Sequence, residues 1–154
     1  MPLTLEVVAA ARSSRRNRSY SLNGYVGAAP AFVAARVDYL TPHYRIFRKT
    51  TDITAPTPSS VFVFQDVNPA NICFPAFGVR MPGSPIEGFY HYPATHHTGS
   101  SVLSFAEGHV ETHRWRDPRT AARPSFGNAI AHWDASRQNA DLWWLQAHAT
   151  SLER

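Results

Sequence analysis

The chain has 154 residues, enough for one domain around one buried core. Its formal charge is +4 and its sequence pI about 9.6, with much of the excess in Arg12, Arg15, Arg16 and Arg18. The 12 prolines argue against an all-helical chain, the lone Cys73 excludes an intrachain disulfide, and no stretch reaches the ~18–20 apolar residues of a membrane helix.

Residues 1–18 read as an arm or short helix. Leu3 to Ala11 is apolar but short, without the basic start of a secretory signal. The basic run after it is read as a solvated arm, with no nucleic-acid partner expected. Residues 19–154 are predicted to form one globular domain. Tyr20 and Leu22 alternate with serines as in a strand, and Asn23-Gly24 predicts a hairpin turn. Residues 28–35 carry no clear pattern. Val37 to Phe47 reads as two extended pieces broken at Thr41-Pro42, and residues 53–60 as a Pro-rich connection.

Val61-Phe62-Val63-Phe64 is a continuous apolar run, predicting a strand buried on both faces and ending at Gln65-Asp66. Residues 67–95 read as a long ordered loop packed by Phe74, Phe77, Phe89, Tyr90 and Tyr92. Within it Cys73, flanked by Ile72 and Phe74, reads as a buried inert thiol. Ser101 to Ala106 is a strand, Glu107-Gly108 a turn, and His109 to Trp115 the returning strand. Residues 117–128 look like loop. Asn139 to His148 predicts a terminal helix, capped by Asn139 or Asp141, with Leu142, Leu145 and either Trp144 or Ala149 as its apolar stripe. The expected fold is α+β: a small antiparallel sheet with long ordered loops and terminal helical segments.

Histidine is the main chemical resource, with His91, His96, His97, His109 and His113 inside 23 residues. His109, Glu111, His113 and Trp115 alternate onto one strand face. That spacing sets neighbouring side chains ~7 Å and the outer two ~13 Å apart, too far to close on one ion without bending. No metal is therefore assigned, and His109, Glu111 and His113 stand as the candidate Zn²⁺ ligands. The loop after Asp66 offers Asn68 and Asn71 but no acidic group before Glu87, too thin a set for Ca²⁺. Trp115, Trp143 and Trp144 form a candidate partner or sugar surface. There is no nucleophile elbow, phosphate-cradling loop or dinucleotide fingerprint, and no evident carboxylate pair.

The stretch His97, nine residues, then Glu107-Gly108 resembles the H-x9-D-G signature of bacterial pseudopilin-like proteins, of the type II secretion and type IV pilin-like group. Glu stands where the signature has Asp. The segment Ser19-Tyr20-Ser21-Leu22-Asn23-Gly24-Tyr25 is similar to the family's S-Y-x-x-N-G-Y. The Pro58-Ser59 step into the apolar strand ending at Asp66 is similar to a second family pattern, with Val67 in place of Glu. Asn139 to Gln146 resembles its terminal helix. Together these follow the family's order over most of residues 19–150. Family members start with a basic leader and a long apolar anchoring helix, to which residues 1–18 have no likeness. The resemblance therefore implies the globular part alone, either truncated, encoded from an internal start, or diverged into a soluble protein.

The resemblance implies a non-enzymatic structural or assembly subunit of an envelope secretion or pilus-like system. Its partners would be other subunits of that system, it would need no cofactor, and it would act at the cell envelope or outside it. The residues themselves assign His97, Glu107 and Gly108 to structure. Nine extended residues separate the first two by ~30 Å, so they mark the ends of a strand and form no catalytic pair. The alternatives are a soluble metal-dependent enzyme using His96, His97, His109, Glu111 and His113, and a carbohydrate- or partner-binding module built on the tryptophans.

Overall fold

A five-stranded sheet forms the centre of the protein. The structure is a computed structural model that describes residues 19–27, 43–73, 75–122, 130–132 and 134–153. The N-terminal arm and the segments 28–35 and 37–42 fall outside the described residues. In chain order the elements are β1 (Tyr20–Asn23), β2 (Phe62–Asp66), β3 (Ala76–Phe77), β4 (Gly88–Phe89), β5 (Ser100–Phe105), β6 (Val110–Arg114), α1 (Pro118–Ala121), β7 (Asp134–Ala135) and α2 (Ala140–Ala149). The main sheet has the order β3-β1-β2-β5-β6, and β4 pairs with β7 in a small second sheet.

The architecture mixes α and β but is mostly sheet. The pairs β1–β2, β2–β5 and β5–β6 are antiparallel, whereas β1 and β3 run parallel. An all-antiparallel sheet was the expectation, and β3 departs from it. The chain leaving β2 passes across to the far side of β1, where Leu22 N donates to Pro75 O (3.0 Å) and Gly24 N to Phe77 O (2.9 Å). The region read as one long loop thus contributes edge strands to both sheets. Asn23-Gly24 makes a turn, closed by Val26 N on Asn23 O at 3.0 Å. It does not make a hairpin. The chain beyond it bridges in parallel to Phe47, and β1 takes its strand partners from distant sequence.

The apolar run of β2 is interrupted by a bulge. Phe62 pairs with Phe105 and Phe64 with Ser104, so Val63 is the extra residue, and the Ser104 hydroxyl accepts from Phe64 N (3.2 Å). A bulge resets the in–out alternation of a strand. Phe62 and Gln65 are buried, whereas Phe64 is 45% exposed and meets Tyr20 edge-on. Burial on both faces therefore fails at Phe64.

The main core gathers Tyr25, Phe62, Phe77, Phe89, Tyr92, Leu103, Trp115, Leu142 and Leu145, and a smaller cluster joins Phe47, Ile53 and Val61. Helix α2 buries Leu142, Leu145 and Ala149, leaves Trp144 half-buried and exposes Trp143. Its cap is Asn139, whose Oδ1 accepts from Asp141 N (2.9 Å) and Leu142 N (3.1 Å). That satisfies backbone donors with no partner of their own in the first turn. The segment after β6, read as loop, begins with the short helix α1. Asp117 caps it by accepting from Arg119 N (2.9 Å), and Pro118 stands at its first position. Among the described residues no helix is long and apolar enough to cross a membrane.

Candidate functional site

The hairpin β5–β6 turns through Ala106, Glu107 and Gly108. Phe105 N donates to His109 O and Gly108 N to Phe105 O, both at 2.9 Å. Gly108 has φ +103, which non-glycine residues rarely adopt. A three-residue hairpin loop commonly needs such a residue at its third position. Glu107 meets its neighbour, with Oε1 3.0 Å from His109 Nδ1, and the His109 ring stacks on Phe105 at 4.4 Å.

At the other end of β5, His97 lies beside Asp66 at the end of β2, with Nε2 3.6 Å from Oδ2. The same carboxylate accepts from Val102 N at 3.3 Å. His97 and Glu107 thus have separate partners, and His97 belongs with Asp66. The entry to β5 is shaped by two successive left-handed residues, Thr98 (φ 54) and Gly99 (φ 78).

The other residues of the sequence patterns are also tied internally. Asn23 is fully buried. Its Nδ2 donates to Phe62 O and Ala149 O, both at 2.9 Å, and its Oδ1 accepts from Tyr25 N (3.0 Å). One side chain therefore joins β1, β2 and the end of α2. Trp115, expected on a partner surface, is buried (2% exposed), and its Nε1 donates to Ala94 O and Ser101 Oγ. Burying an indole requires such a partner for its N–H, and Ala94 and Ser101 supply it. The buried Asp141 carboxylate accepts from Arg116 N and Asp117 N at 3.0–3.1 Å, fixing the exit of β6 to α2.

The candidate Zn²⁺ ligands are held apart. His113 lies flat on Trp144 (3.8 Å) and beside Trp115 (4.6 Å), while His148 stacks on Trp144 at 3.9 Å. Burial lowers the His113 pKa, against the pull of Asp141 and Glu111. Glu111 is exposed, and His109 is engaged by Glu107 and Phe105. His96 and His97 are exposed beyond the far end of β5. Asn68 and Asn71, weighed for Ca²⁺, serve the backbone instead. Asn68 Oδ1 accepts from Ala70 N (3.0 Å), and Asn71 bridges Tyr92 N (2.6 Å) and Ile130 O (3.1 Å).

A different group converges. Among the described residues, the one set of three or more His, Cys, Asp or Glu whose donor atoms could share an ion is Cys73, His91 and His132, all within 4.8 Å of one another. Cys73 is exposed, contrary to its reading as a core thiol, and its Sγ lies 3.3 Å from His91 Nε2. The apolar residues beside it suggest burial; Ile72 does pack partly buried against the core, and Phe74 lies outside the described residues.

Backbone groups fix the imidazole protons. Gly78 N can only donate, and it points at His91 Nδ1 (2.9 Å), so the ring proton of His91 sits on Nε2 and faces sulfur. At His132 Nδ1 two groups compete: Tyr90 O, which can only accept, at 2.9 Å and Asn71 Nδ2, which can only donate, at 3.2 Å; the shorter contact puts the proton on Nδ1 and leaves Nε2 its lone pair. Burial, helped by His132 nearby, pushes the His91 pKa down to about 3 and keeps the ring neutral. No motif spacing marks these three residues. They are 18 and 41 positions apart, and only the folding of the β2–β5 connection onto the segment before β7 unites them.

No family model matches the chain, and neither a curated protein nor a solved structure matches it.

Proposed function

We propose that the chain is the globular part of a pseudopilin-like structural subunit that works at the cell envelope among other subunits of its kind. The observation that carries this reading is how the pattern residues are used. Asn23, Asp66 and Trp115 bond to backbone groups far apart in sequence, Asn139 caps its own helix and reaches Thr120, and His97 lies 3.6 Å from Asp66. Residues committed to backbone groups hold a shape and leave little free for chemistry on a substrate. A recurring set of such braces is what a subunit needs if its role is to present a fixed surface. The exposed Trp143, with Tyr20, Phe64 and Val110 on the sheet, supplies apolar surface for neighbours.

Fractionating source cells and blotting with an antibody against the domain tests the reading. Recovery in the envelope and in the material sheared from the cell surface is expected, along with cross-linking to further subunits. Recovery only in the cytosol, without cross-linked species, would overturn it.

A further inference from the structure

We propose that Cys73, His91 and His132 bind one zinc-like cation through a thiolate and two imidazole nitrogens. The donor set selects the ion class. Sulfur and imidazole suit borderline and soft metals, and without a carboxylate in the group the hard cations Ca²⁺ and Mg²⁺ are poorly served.

The geometry is close to what such an ion needs. Bonds of ~2.3 Å to sulfur and ~2.0–2.1 Å to nitrogen at tetrahedral angles leave the donors about 3.5 Å apart. Cys73 Sγ and His91 Nε2 stand at 3.3 Å, and no pair in the group exceeds 4.8 Å. A contraction of about an ångström at the widest pair completes the site.

Both rings are held in place by their surroundings. His132 stacks on Tyr90 (4.9 Å), and His91 packs edge-on against Tyr90 and His132 and beside Phe77. The bond from His132 Nδ1–H to Tyr90 O is the outer contact that typically orients a metal-binding imidazole and frees its other nitrogen. The exposure of Cys73 leaves an approach from solvent.

His91 sets the cost. Its Nε2 carries a proton while Gly78 N occupies Nδ1. On ion entry the thiol proton leaves to solvent, the ring proton passes from Nε2 to Nδ1, and the Gly78 contact breaks. Two buried donors, Nδ1–H and Gly78 N–H, are then left facing each other without acceptors, which lowers affinity by roughly 10²- to 10⁴-fold, still short of what a thiolate and two imidazoles supply. Zinc uptake is therefore expected to release about one proton per chain near neutral pH.

The test titrates the metal-free chain with Zn²⁺ under reducing conditions by calorimetry, and with Co²⁺ by absorption. One ion per chain is expected, with a Kd below about 1 µM, a sulfur-to-cobalt charge-transfer band, and protection of Cys73 from iodoacetamide. Cys73→Ser, His132→Ala and His91→Gln should each weaken binding by about ten-fold or more. Melting curves of the metal-free variants report folding. His132 is half-buried, so its variant keeps the test decisive if His91→Gln does not fold. Absence of stoichiometric binding overturns the proposal. So does binding lost in Cys73→Ser but unchanged in both histidine variants, which would mean a thiol acting alone.

Discussion

Replacing Asn23 by alanine removes a side chain that ties three segments together. It is fully buried and makes three hydrogen bonds of 2.9–3.0 Å, to Phe62 O, Ala149 O and Tyr25 N. Alanine leaves two carbonyls and one N–H without that partner in a space too small for free solvation. A buried polar group left unpaired costs roughly 1–3 kcal/mol, with carbonyls toward the low end because they keep a second lone-pair partner more easily. The expected loss is about 3–5 kcal/mol. For a chain of this size each kcal/mol lowers Tm by roughly 2–4 °C, so the variant should melt about 6–20 °C below the wild type. Circular dichroism melts and urea titrations at one pH measure both quantities, with an unchanged m-value showing that the same surface unfolds. Asn23→Asp sharpens the test. It keeps an acceptor for Tyr25 N but turns a carboxylate toward two carbonyl oxygens, so it should be at least as destabilising. A loss under about 1 kcal/mol in both variants would refute the assignment of Asn23 as a brace.

Gly108→Val should lower stability by about 1–3 kcal/mol through backbone strain alone, because φ is +103 while an added Cβ meets nothing within 4 Å; an unchanged Tm in a thermal melt would remove the turn assignment. Gly88→Ala should be worse for the opposite reason, since its Cβ would lie 2.1 Å from Asp134 O across the β4–β7 pair. Separation of those strands is expected, read as faster amide exchange at Phe89 and Ser136, whose N–H donates to Glu87 O, than in wild type, and wild-type protection there would contradict it. In the metal-free protein His113 has a lowered pKa, so the unfolded chain takes up a proton that the folded state resists. Stability is then full above the unfolded value of 6.5 and falls as pH drops through it, and His91, with a folded value of about 3, extends the same limb downward. His113→Phe, which keeps a ring against Trp144, should flatten part of that limb in urea titrations between pH 7 and 5, and an unchanged slope would argue against it.

The parts of the fold legible in the sequence are those set by local chemistry. The β5–β6 hairpin follows from alternation on either side of Gly108, and α2 from an Asn cap ahead of apolar positions that meet on one face. What escaped notice depends on non-local pairing. Asn23-Gly24 has the composition of a hairpin turn, but strand register is decided by which edges are available, and β1 pairs with Phe62–Asp66 on one side and Ala76–Phe77 on the other. The two-residue strands β3 and β4 are too short to show periodicity and exist because neighbouring edges recruit them. Helix α1 hid in a polar stretch because one turn needs only Asp117 and Pro118 to start.

The site divides the same way. Strand geometry alone separates His97 from Glu107, and the structure gives each its own partner. It could not announce that His97 would meet Asp66, because that contact crosses from one strand end to another. For Cys73 the flanking residues gave a misleading signal. Ile72 beside it is partly buried, yet the thiol itself is exposed between two imidazoles from distant segments. Five histidines crowded into one stretch drew attention to β6, where stacking on tryptophan and phenylalanine occupies the rings. Density in sequence is therefore a poor guide, since alternate residues of a strand share a face but are spread ~7 Å apart along it, while loops can converge. The bracing network and the Cys–His–His group also make separable demands on the chain. Asn23→Ala should cost stability without selectively altering zinc affinity, and His132→Ala should cost affinity with little change in the metal-free melt. Coupling of the two effects in a double variant would mean that the brace and the donor group form one unit, and its absence that the fold carries them independently.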